Sequence, residues 1–391
     1  MTLLIGIAIG TLVLLVVVAW AYKAGVRQAP PVPAPPAPVA PRLATSPAVP
    51  DAPAVAPRSA PPRGEARDPA PTLPAALKAL RLARHSDLPS AQADALATRL
   101  QTIPRPPHAL DKLVSAQFLA QATSAELNDL MVGEPQIAAK VLAAVNSPLY
   151  GLQKPLGNIG QAATYLGMNS VRSICMQYML DASFKPTSPE VKVCYEQVWN
   201  ASALSGALCF KLAQLLKLPD PGGMVTQIVL SSLGPLASYA LLDPQAVLRL
   251  RGLEPIERAR AEQEALGLCA TEIGGLLLQS WKLPASLIED VCDIGRVLSQ
   301  PPAGAADARQ ARLGLCHLCR AIGERMASGV LADLRQFDVL HMDDPALFHL
   351  AGYLHNFRLE RLPEFLHFPE VLAMADQMAT GFRLARAPAG S

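Results

Sequence analysis

Among the residues whose types could do chemistry, one cluster has the spacing of metal ligands, namely Cys316, His317 and Cys319. Thiolates and imidazoles are the ligands that zinc prefers in proteins. A structural zinc site takes four ligands, however, and the chain has no second Cys-x-x-Cys pair to complete one. Because positions i and i+3 share one face of a helix, the same two cysteines suit a buried helix face. The spacing therefore favours packing over metal binding.

Other catalytic signatures are absent from the sequence. There is no glycine-rich phosphate loop, no Gly-x-Ser-x-Gly elbow and no His-Glu-x-x-His pair. The seven cysteines are odd in number and scattered through apolar stretches, which is typical of buried free thiols in a reducing compartment. The net charge is only +2, and no basic block carries interleaved aromatic residues, so we expect no nucleic-acid partner.

The elements that must position these residues are helices. Apolar residues recur with a period of 3.6 from Ile137 to Val145, and similar stripes follow in residues 204–215 and 273–280. The alternating patterns that are typical of strands are nearly absent. We therefore predict an all-α fold, in which a helical bundle is built with short connections.

Composition divides the chain into five segments. We predict a membrane anchor at 1–28, a Pro/Ala-rich linker at 29–76, a helical lead-in at 77–102, a central domain at 103–298 and a C-terminal helical extension at 299–391. The linker carries 16 prolines between Pro30 and Pro74 and no aromatic residue there. We expect it to be disordered, because it cannot bury enough apolar surface to offset its ordering entropy. The sequence leaves open whether the extension is a separate subdomain.

The predicted anchor is an uncharged stretch from Leu3 to Tyr22 in which Leu, Ile and Val dominate. Twenty helical residues span about 30 Å, the thickness of the hydrocarbon core of a bilayer. Lys23 follows directly, and the positive-inside rule then places the amino terminus outside and the rest of the chain in the cytoplasm. Gly6 and Gly10 form a small-xxx-small pattern that would let two spans approach closely in a homodimer; the alternative is that glycine is simply common in transmembrane helices.

Two blocks of sequence mark the ends of predicted helices. In the first block, an Asn-Ser-Pro sequence should stop a helix, because a residue before proline avoids the α conformation. Glycines then stand where a positive φ is convenient, and in the second block a helix should end at a Trp-x-Leu-Pro break. The residues of the two blocks are Asn146, Ser147, Tyr150, Gly151 and Gly167, and then Glu272, Trp281 and Pro284.

In this order and at this separation, the two blocks resemble the HDOD family, over about residues 103–298. HDOD domains resemble HD phosphohydrolases, whose metal site uses paired His and Asp side chains. The resemblance places the corresponding ligand positions, called here the predicted ligand positions, at Ala201, Ser231, Ser232, Ala270, Ile294 and Gly295. Because none of these side chains is an imidazole or a carboxylate, the resemblance implies that the metal site is lost. We therefore expect no metal, no other cofactor and no enzymatic activity.

The resemblance implies a non-catalytic signalling or scaffold protein at the cytoplasmic face of a bacterial inner membrane. Its partners would be signalling proteins that the sequence does not identify. We expect exposed side chains around Tyr150, Lys154 and Trp281 to form the interaction surface.

Two alternatives remain open. In one, the protein senses a small ligand, a nucleotide among the candidates, in a cavity left by the lost metal site and lined by Ser231, Ser232 and Ala270. In the other, it is a metal-dependent phosphohydrolase with a relocated metal site. A polar cleft at these positions would favour the sensor, and a filled apolar core would not.

Overall fold

The structure is a computed structural model that describes residues 72–303, 308–339, 344–354 and 361–386. The predicted membrane span, the small-xxx-small pattern and nearly all of the predicted linker lie outside the described residues. The described residues contain helices and no strand, which confirms the predicted all-α fold.

Eight helices form the first half of the described chain. They are α1 (Ala75–Lys78), α2 (Ser90–Leu100), α3 (Ala109–Leu113), α4 (Ala116–Gln121), α5 (Ser124–Val132), α6 (Pro135–Val145), α7 (Ile159–Leu166) and α8 (Met168–Asp181). A short 3-10 helix, Pro148–Tyr150, connects α6 to the loop before α7.

Eleven helices follow in the second half of the described chain. They are α9 (Pro189–Leu215), α10 (Pro221–Ser231), α11 (Leu233–Leu241), α12 (Pro244–Leu250), α13 (Pro255–Leu266), α14 (Ala270–Ser280), α15 (Ala285–Arg296), α16 (Ala308–Ser328), α17 (Leu350–Leu354), α18 (Leu362–Leu366) and α19 (Pro369–Arg386).

Local sequence explains where many of these helices begin and end. Thr123 and Glu126 form a reciprocal capping box at the start of α5, and each satisfies a backbone N–H of the other. Asn146 and Trp281 cap the carboxyl ends of α6 and α14, where the sequence predicts those ends. The predicted positive φ is also confirmed, since Gly167 at the junction of α7 and α8 has a φ of 90°.

The longest helix, α9, is central to the body. It has 27 residues and is therefore about 40 Å long. Helix α16 packs along it, and α18 and α19 also contact it. Leu204, Leu208 and Leu212 of α9 are fully buried in the apolar cluster that includes residues of α16 and α19. The C-terminal helices therefore pack onto the same body as the central ones.

The described chain contains one helical stretch that is long and apolar enough to cross a membrane, Pro221–Leu241, which comprises α10 and α11. Within the fold, however, 83% of its most apolar window is buried by other helices. The stretch is thus a core element of the bundle. The predicted span at residues 3–22 stays a prediction.

Candidate binding cavity at the predicted ligand positions

The predicted ligand positions lie on helices that pack against one another. Ala201 lies on α9, Ser231 ends α10, and Ala270 begins α14. Ile294 and Gly295 lie in the last turn of α15. Helix α10 contacts both α9 and α15, and α14 contacts α15. The fold therefore builds one region from the four helices that carry these positions.

On one side of this region, helices α11 and α14 cross so closely that only glycine fits. A Cβ atom at Gly274 would lie 2.9 Å from the Cα of Gly234, and one at Gly234 would overlap the carbonyl oxygen of Ala270. A Cβ at Gly295 would overlap the hydroxyl of Thr271 on α14. Backbone and small side chains therefore fill the space at Ala270 and Gly295, and we call this crossing the sealed side.

Ile294 and Ser231 are also engaged in the packing. Ile294 is fully buried, and its carbonyl oxygen accepts a hydrogen bond from Nδ1 of His317 at 2.9 Å. Because a carbonyl can only accept, Nδ1 carries the proton. Burial, together with the charge of Arg320, lowers the pKa of His317 to about 4, so this imidazole is neutral near pH 7. The Ser231 hydroxyl donates to the carbonyl of Ile228 at 2.7 Å.

A divalent metal site of the HD type does not fit the residues present at these positions. Their side chains are methyl, hydroxyl, sec-butyl or hydrogen, and none is a strong ligand. In the ranges that the structure describes, no group of three or more His, Cys, Asp or Glu side chains could hold a metal ion. Cys316 and Cys319 are fully buried, and burial raises the pKa of the Cys316 thiol well above its usual value. That thiol is therefore protonated.

On the other side of the region lies a cavity of about 80 Å³ between α9, α11, α13 and α16, which we call the arginine cavity. Ala201 and Ser232 are among its lining residues. Ser231 and Ala270, which were also expected to line a cavity, are not among them. The reason is that Ala270 faces the sealed side and the Ser231 hydroxyl is turned back onto its own helix.

The charged groups of the arginine cavity are three arginines, Arg251, Arg258 and Arg320, and one carboxylate, Glu324. Arg258 and Glu324 form an ion pair that joins α13 to α16. Burial lowers the pKa of Arg258, but the charge and hydrogen bond of Glu324 outweigh it, so the net pKa is raised. Burial raises the pKa of Glu324, but the charge and hydrogen bond of Arg258 outweigh burial, so the net pKa is lowered. Both groups are therefore charged near pH 7.

Arg320 differs from Arg258 in having no partner at hydrogen-bonding distance. Within the described residues its guanidinium makes no hydrogen bond and no ion pair. Burial lowers its pKa, and the charge of Glu324 only partly opposes that effect. The Arg320 side chain is partly exposed, and none of its guanidinium nitrogens is buried without a partner, so its five N–H donors stay available to solvent or to a ligand in the cavity.

Glu262 is a further buried carboxylate beside the cavity. One of its oxygens accepts a hydrogen bond from the backbone N–H of Ala270 at 2.8 Å, at the start of α14. Its other oxygen is buried without a partner among the described residues. Burial raises the pKa of Glu262, and the charge of Arg258 opposes this.

Sequence reasoning missed these charged groups. The available signal was a pair of Arg/Glu spacings of four residues, Arg258 with Glu262 and Arg320 with Glu324. The spacing alone could not show that the two pairs face each other, because some sixty residues separate them.

Most residues of the two family blocks have structural roles. The Asn146 side chain both donates to and accepts from the backbone of Leu156, at 3.0 and 2.8 Å, and so fixes the Tyr-Gly turn. Glu272 on α14 accepts hydrogen bonds from Arg296 of α15, the shorter at 2.7 Å. The expectation that Trp281 is exposed is wrong: the side chain is 3% exposed, because it packs into the apolar core behind the end of α14.

The remaining block residues lie at helix ends or turns. Pro284 is the N-cap of α15, Gly151 has a φ of 59°, and Ser147 lies between α6 and the following 3-10 helix. Tyr150 is half-buried, and its burial raises its pKa to about 12. These positions specify local geometry, and none of them faces the arginine cavity.

Comparisons with known proteins agree with this fold. Residues 103–294 match the family model described as HDOD domain. A protein of Shewanella amazonensis SB2B, provisionally described as a phosphohydrolase, has a similar structure with a TM-score of 0.51 and 22% identity, covering 74% of this chain and 98% of its own. An HDOD domain protein of unknown function from Geobacter sulfurreducens has a TM-score of 0.50 and 18% identity, covering 74% of this chain and 96% of its own.

At these identities the structural likeness defines the fold alone, a helical body of the HDOD type. A comparison with curated proteins gives no match. The match to the family model over residues 103–294 shows that this chain contains an HDOD domain and belongs to the HDOD family through it. The resemblance seen in the two sequence blocks is thereby confirmed.

Proposed function

We propose that this protein is a non-catalytic signalling protein that binds partner proteins through its HDOD body. The predicted span at residues 3–22 would hold that body at the cytoplasmic face of a bacterial inner membrane. Two facts support the non-catalytic part of the proposal. The predicted ligand positions lack strong ligands, and packing accounts for several of those small residues.

The observation that carries the interaction part is an exposed groove between α5 and α7, which we call the α5–α7 groove. It has a volume of about 560 Å³, and its lining includes Ser124, Asn128, Thr164 and Tyr165. Tyr165 is 66% exposed. Exposed tyrosines are enriched at protein interfaces, because they bring a large apolar ring and a hydroxyl to one contact.

A second large apolar side chain lies beside this groove. Val132 on α5 is 70% exposed, and it follows Asn128 by four residues, so both share one face of the helix. Helices α5 and α7 pack closely at the groove, because a Cβ atom at Gly160 would lie only 3.2 Å from the carbonyl oxygen of Ser124. A rigid groove flanked by exposed apolar side chains is typical of an interaction site.

The partner surface proposed here differs from the one expected from the sequence. Trp281 cannot contact a partner, because it is buried. Tyr150 is half-buried and Lys154 is exposed, and neither lines the α5–α7 groove. The proposal therefore places the contact at Tyr165 and Val132.

Site-specific photo-crosslinking in cells tests the proposal with the full chain. A photoreactive residue at position 165 should yield a discrete crosslinked partner. The matched control is position 330, because Val330 is also apolar and is 74% exposed, yet does not line the groove. Val132→Ser should weaken the crosslink at position 165, and Val330→Ser should not. Equal crosslinking at both positions would contradict the proposal, and so would its absence at position 165.

Sensing of a small ligand is a second candidate function. The arginine cavity favours it, because this cavity adjoins two predicted ligand positions and is lined by charged groups. The region at the predicted ligand positions contains both expected features: the sealed side is a filled core, and the arginine cavity is a polar cleft. A sensor would additionally couple ligand occupancy to partner binding. A ligand that fills the cavity should then change the crosslinking yield at position 165, and an unchanged yield would argue against sensing.

A further inference from the structure

Several hydrogen-bond donors that line the arginine cavity make no hydrogen bond among the described residues. The Arg320 guanidinium has no hydrogen bond within the described chain. The hydroxyl of Tyr239 lines the same cavity and has no hydrogen-bond partner among the described residues, although the side chain is only 7% exposed. Burial raises the pKa of Tyr239, so this hydroxyl keeps its proton.

Ser202 supplies a further donor from α9. Its oxygen accepts a hydrogen bond from the Gln177 side chain at 3.5 Å, which leaves its own proton available. The side chain is 3% exposed and lines the cavity. By contrast, the hydroxyls of Ser205 and Ser232 already donate to helix carbonyls. The available donors thus come from three helices, α9, α11 and α16.

The cavity carries more positive than negative charge. The carboxylate of Glu324 is the acidic group of the lining, and Arg258 already pairs with it. Arg320 and Arg251 therefore leave an excess of positive charge. Arg251 is exposed, so it lies where the cavity meets the solvent. A cavity with unpaired donors and excess positive charge favours an anion that has several acceptor atoms.

We propose that the arginine cavity binds a phosphate group, with Arg320, Tyr239 and Ser202 as its donors. This inference rests on the second candidate function, the sensing of a small ligand. A volume of about 80 Å³ exceeds the space that one water needs and suits an ion of a few heavy atoms. Donors on three helices surround the cavity, and a tetrahedral anion accepts from several directions, whereas a carboxylate accepts mainly in one plane.

Two sources could supply this phosphate group. Inorganic phosphate would fit inside the cavity alone. A phosphate ester would place its phosphate inside and extend the rest of the molecule past Arg251 into solvent. The two sources share the same contacts with Arg320, so the variants of that residue test both at once.

The experiment is calorimetric titration of the full chain in detergent micelles with inorganic phosphate and with adenosine monophosphate. Arg320→Gln removes the charge, and Arg383→Gln is the control, since Arg383 is exposed on α19 and hydrogen-bonds Thr380. We expect saturable one-to-one binding, weakened about tenfold or more by Arg320→Gln and unchanged in the control. Tighter binding of the ester would identify the ester as the source, and equal binding would identify the free ion.

Tyr239→Phe is the second variant, because it removes one hydroxyl with little change of volume, and it should weaken binding severalfold. Sodium acetate should compete poorly. Absence of saturable binding for both probes would overturn the inference. The inference would also be overturned if Arg320→Gln and Tyr239→Phe both bound the probes as tightly as the wild type, or if acetate competed as well as phosphate. If phosphate binding fails while crosslinking at position 165 persists, the anion site is wrong and the partner-binding proposal stands. If phosphate binds while crosslinking at position 165 is absent, the anion site stands and the partner-binding proposal is wrong.

Discussion

The two sides of the region at the predicted ligand positions differ in how they are filled. On the sealed side, glycines at 234 and 274 let two helix backbones meet, and no side chain larger than a methyl group stands at Ala270. On the other side, Arg320 and its neighbours keep a polar cavity open. The difference indicates that the absence of metal ligands did not leave a uniform core. One half is closely packed, and the other retains charged groups around a cavity.

A related contrast appears between two arginines, one buried and one partly exposed. Arg172 in the packed core donates to the carbonyls of Leu113 and Gly222 and to the hydroxyl of Thr226, at 2.8 to 3.0 Å. Arg320 in the arginine cavity has no such bonds among the described residues. The three hydrogen bonds of Arg172 are expected to stabilise the fold, although its Nε is buried without a partner, whereas the donors of Arg320 remain available for binding.

The largest expected effect comes from adding a side chain at the close helix crossing on the sealed side. Gly234→Val would force side-chain atoms into the carbonyl of Ala270, which is backbone and cannot rotate away. We expect a loss of about 3 kcal/mol or more in the free energy of unfolding, or no folded protein at all. Gly252→Ala is the control, because nothing lies within 4 Å of a Cβ at that position, and it should be near neutral. Chemical denaturation compares the two, and similar stabilities would break the distinction between the two sides.

Removal of the charge should destabilise the fold at Arg172 and have little effect at Arg320. Arg172→Met leaves two carbonyls and a hydroxyl of the core without their donor, so we expect a loss of about 3 kcal/mol. Arg320→Met removes a partly exposed charge without breaking a hydrogen bond among the described residues, and we expect a change of less than about 1 kcal/mol. Thermal denaturation of both variants tests this contrast. An equal loss in both would mean that Arg320 is also a structural residue.

A pH dependence of stability should arise from His317, which lies on α16 and hydrogen-bonds Ile294 of α15. The pKa of His317 is about 4 in the folded protein, below the ordinary value of 6.5, so the unfolded chain binds its proton first as the pH falls. Stability is therefore fully present above pH 6.5 and declines towards pH 4, by roughly 2 kcal/mol between pH 6.5 and 5.

Denaturation at a series of pH values measures this effect. His317→Asn should flatten the decline, since asparagine does not titrate. The control His108→Asn should leave it unchanged, because the His108 side chain is 88% exposed. An identical slope in wild type and His317→Asn would show that another group is responsible.

Local rules in the sequence were sufficient for the fold and for the ends of its key helices. Asn146, Gly167 and Trp281 lie at the ends that were predicted for them, because capping, proline and positive φ act over a few residues. Burial did not follow from the sequence in the same way. Trp281 was expected on the surface, but its exposure depends on helices that are distant in the chain.

The candidate site was predictable only in part. Ala201 and Ser232 were singled out and do line a cavity. Arg258 and Glu324, which set its charge, come from helices that are far apart in sequence, and no local pattern pairs them. Their pairing depends on the tertiary packing of α13 and α16 around α9.

The most direct test of the central claim is a combined metal and activity measurement on the purified full chain. Elemental analysis should find no stoichiometric Mn, Fe, Mg or Zn, and phosphodiester and nucleotide substrates should not be hydrolysed above background. Ser231→His combined with Ser232→Asp should not create activity, because the other predicted ligand positions still lack ligands. One metal ion per chain, together with turnover that a chelator abolishes, would contradict the account.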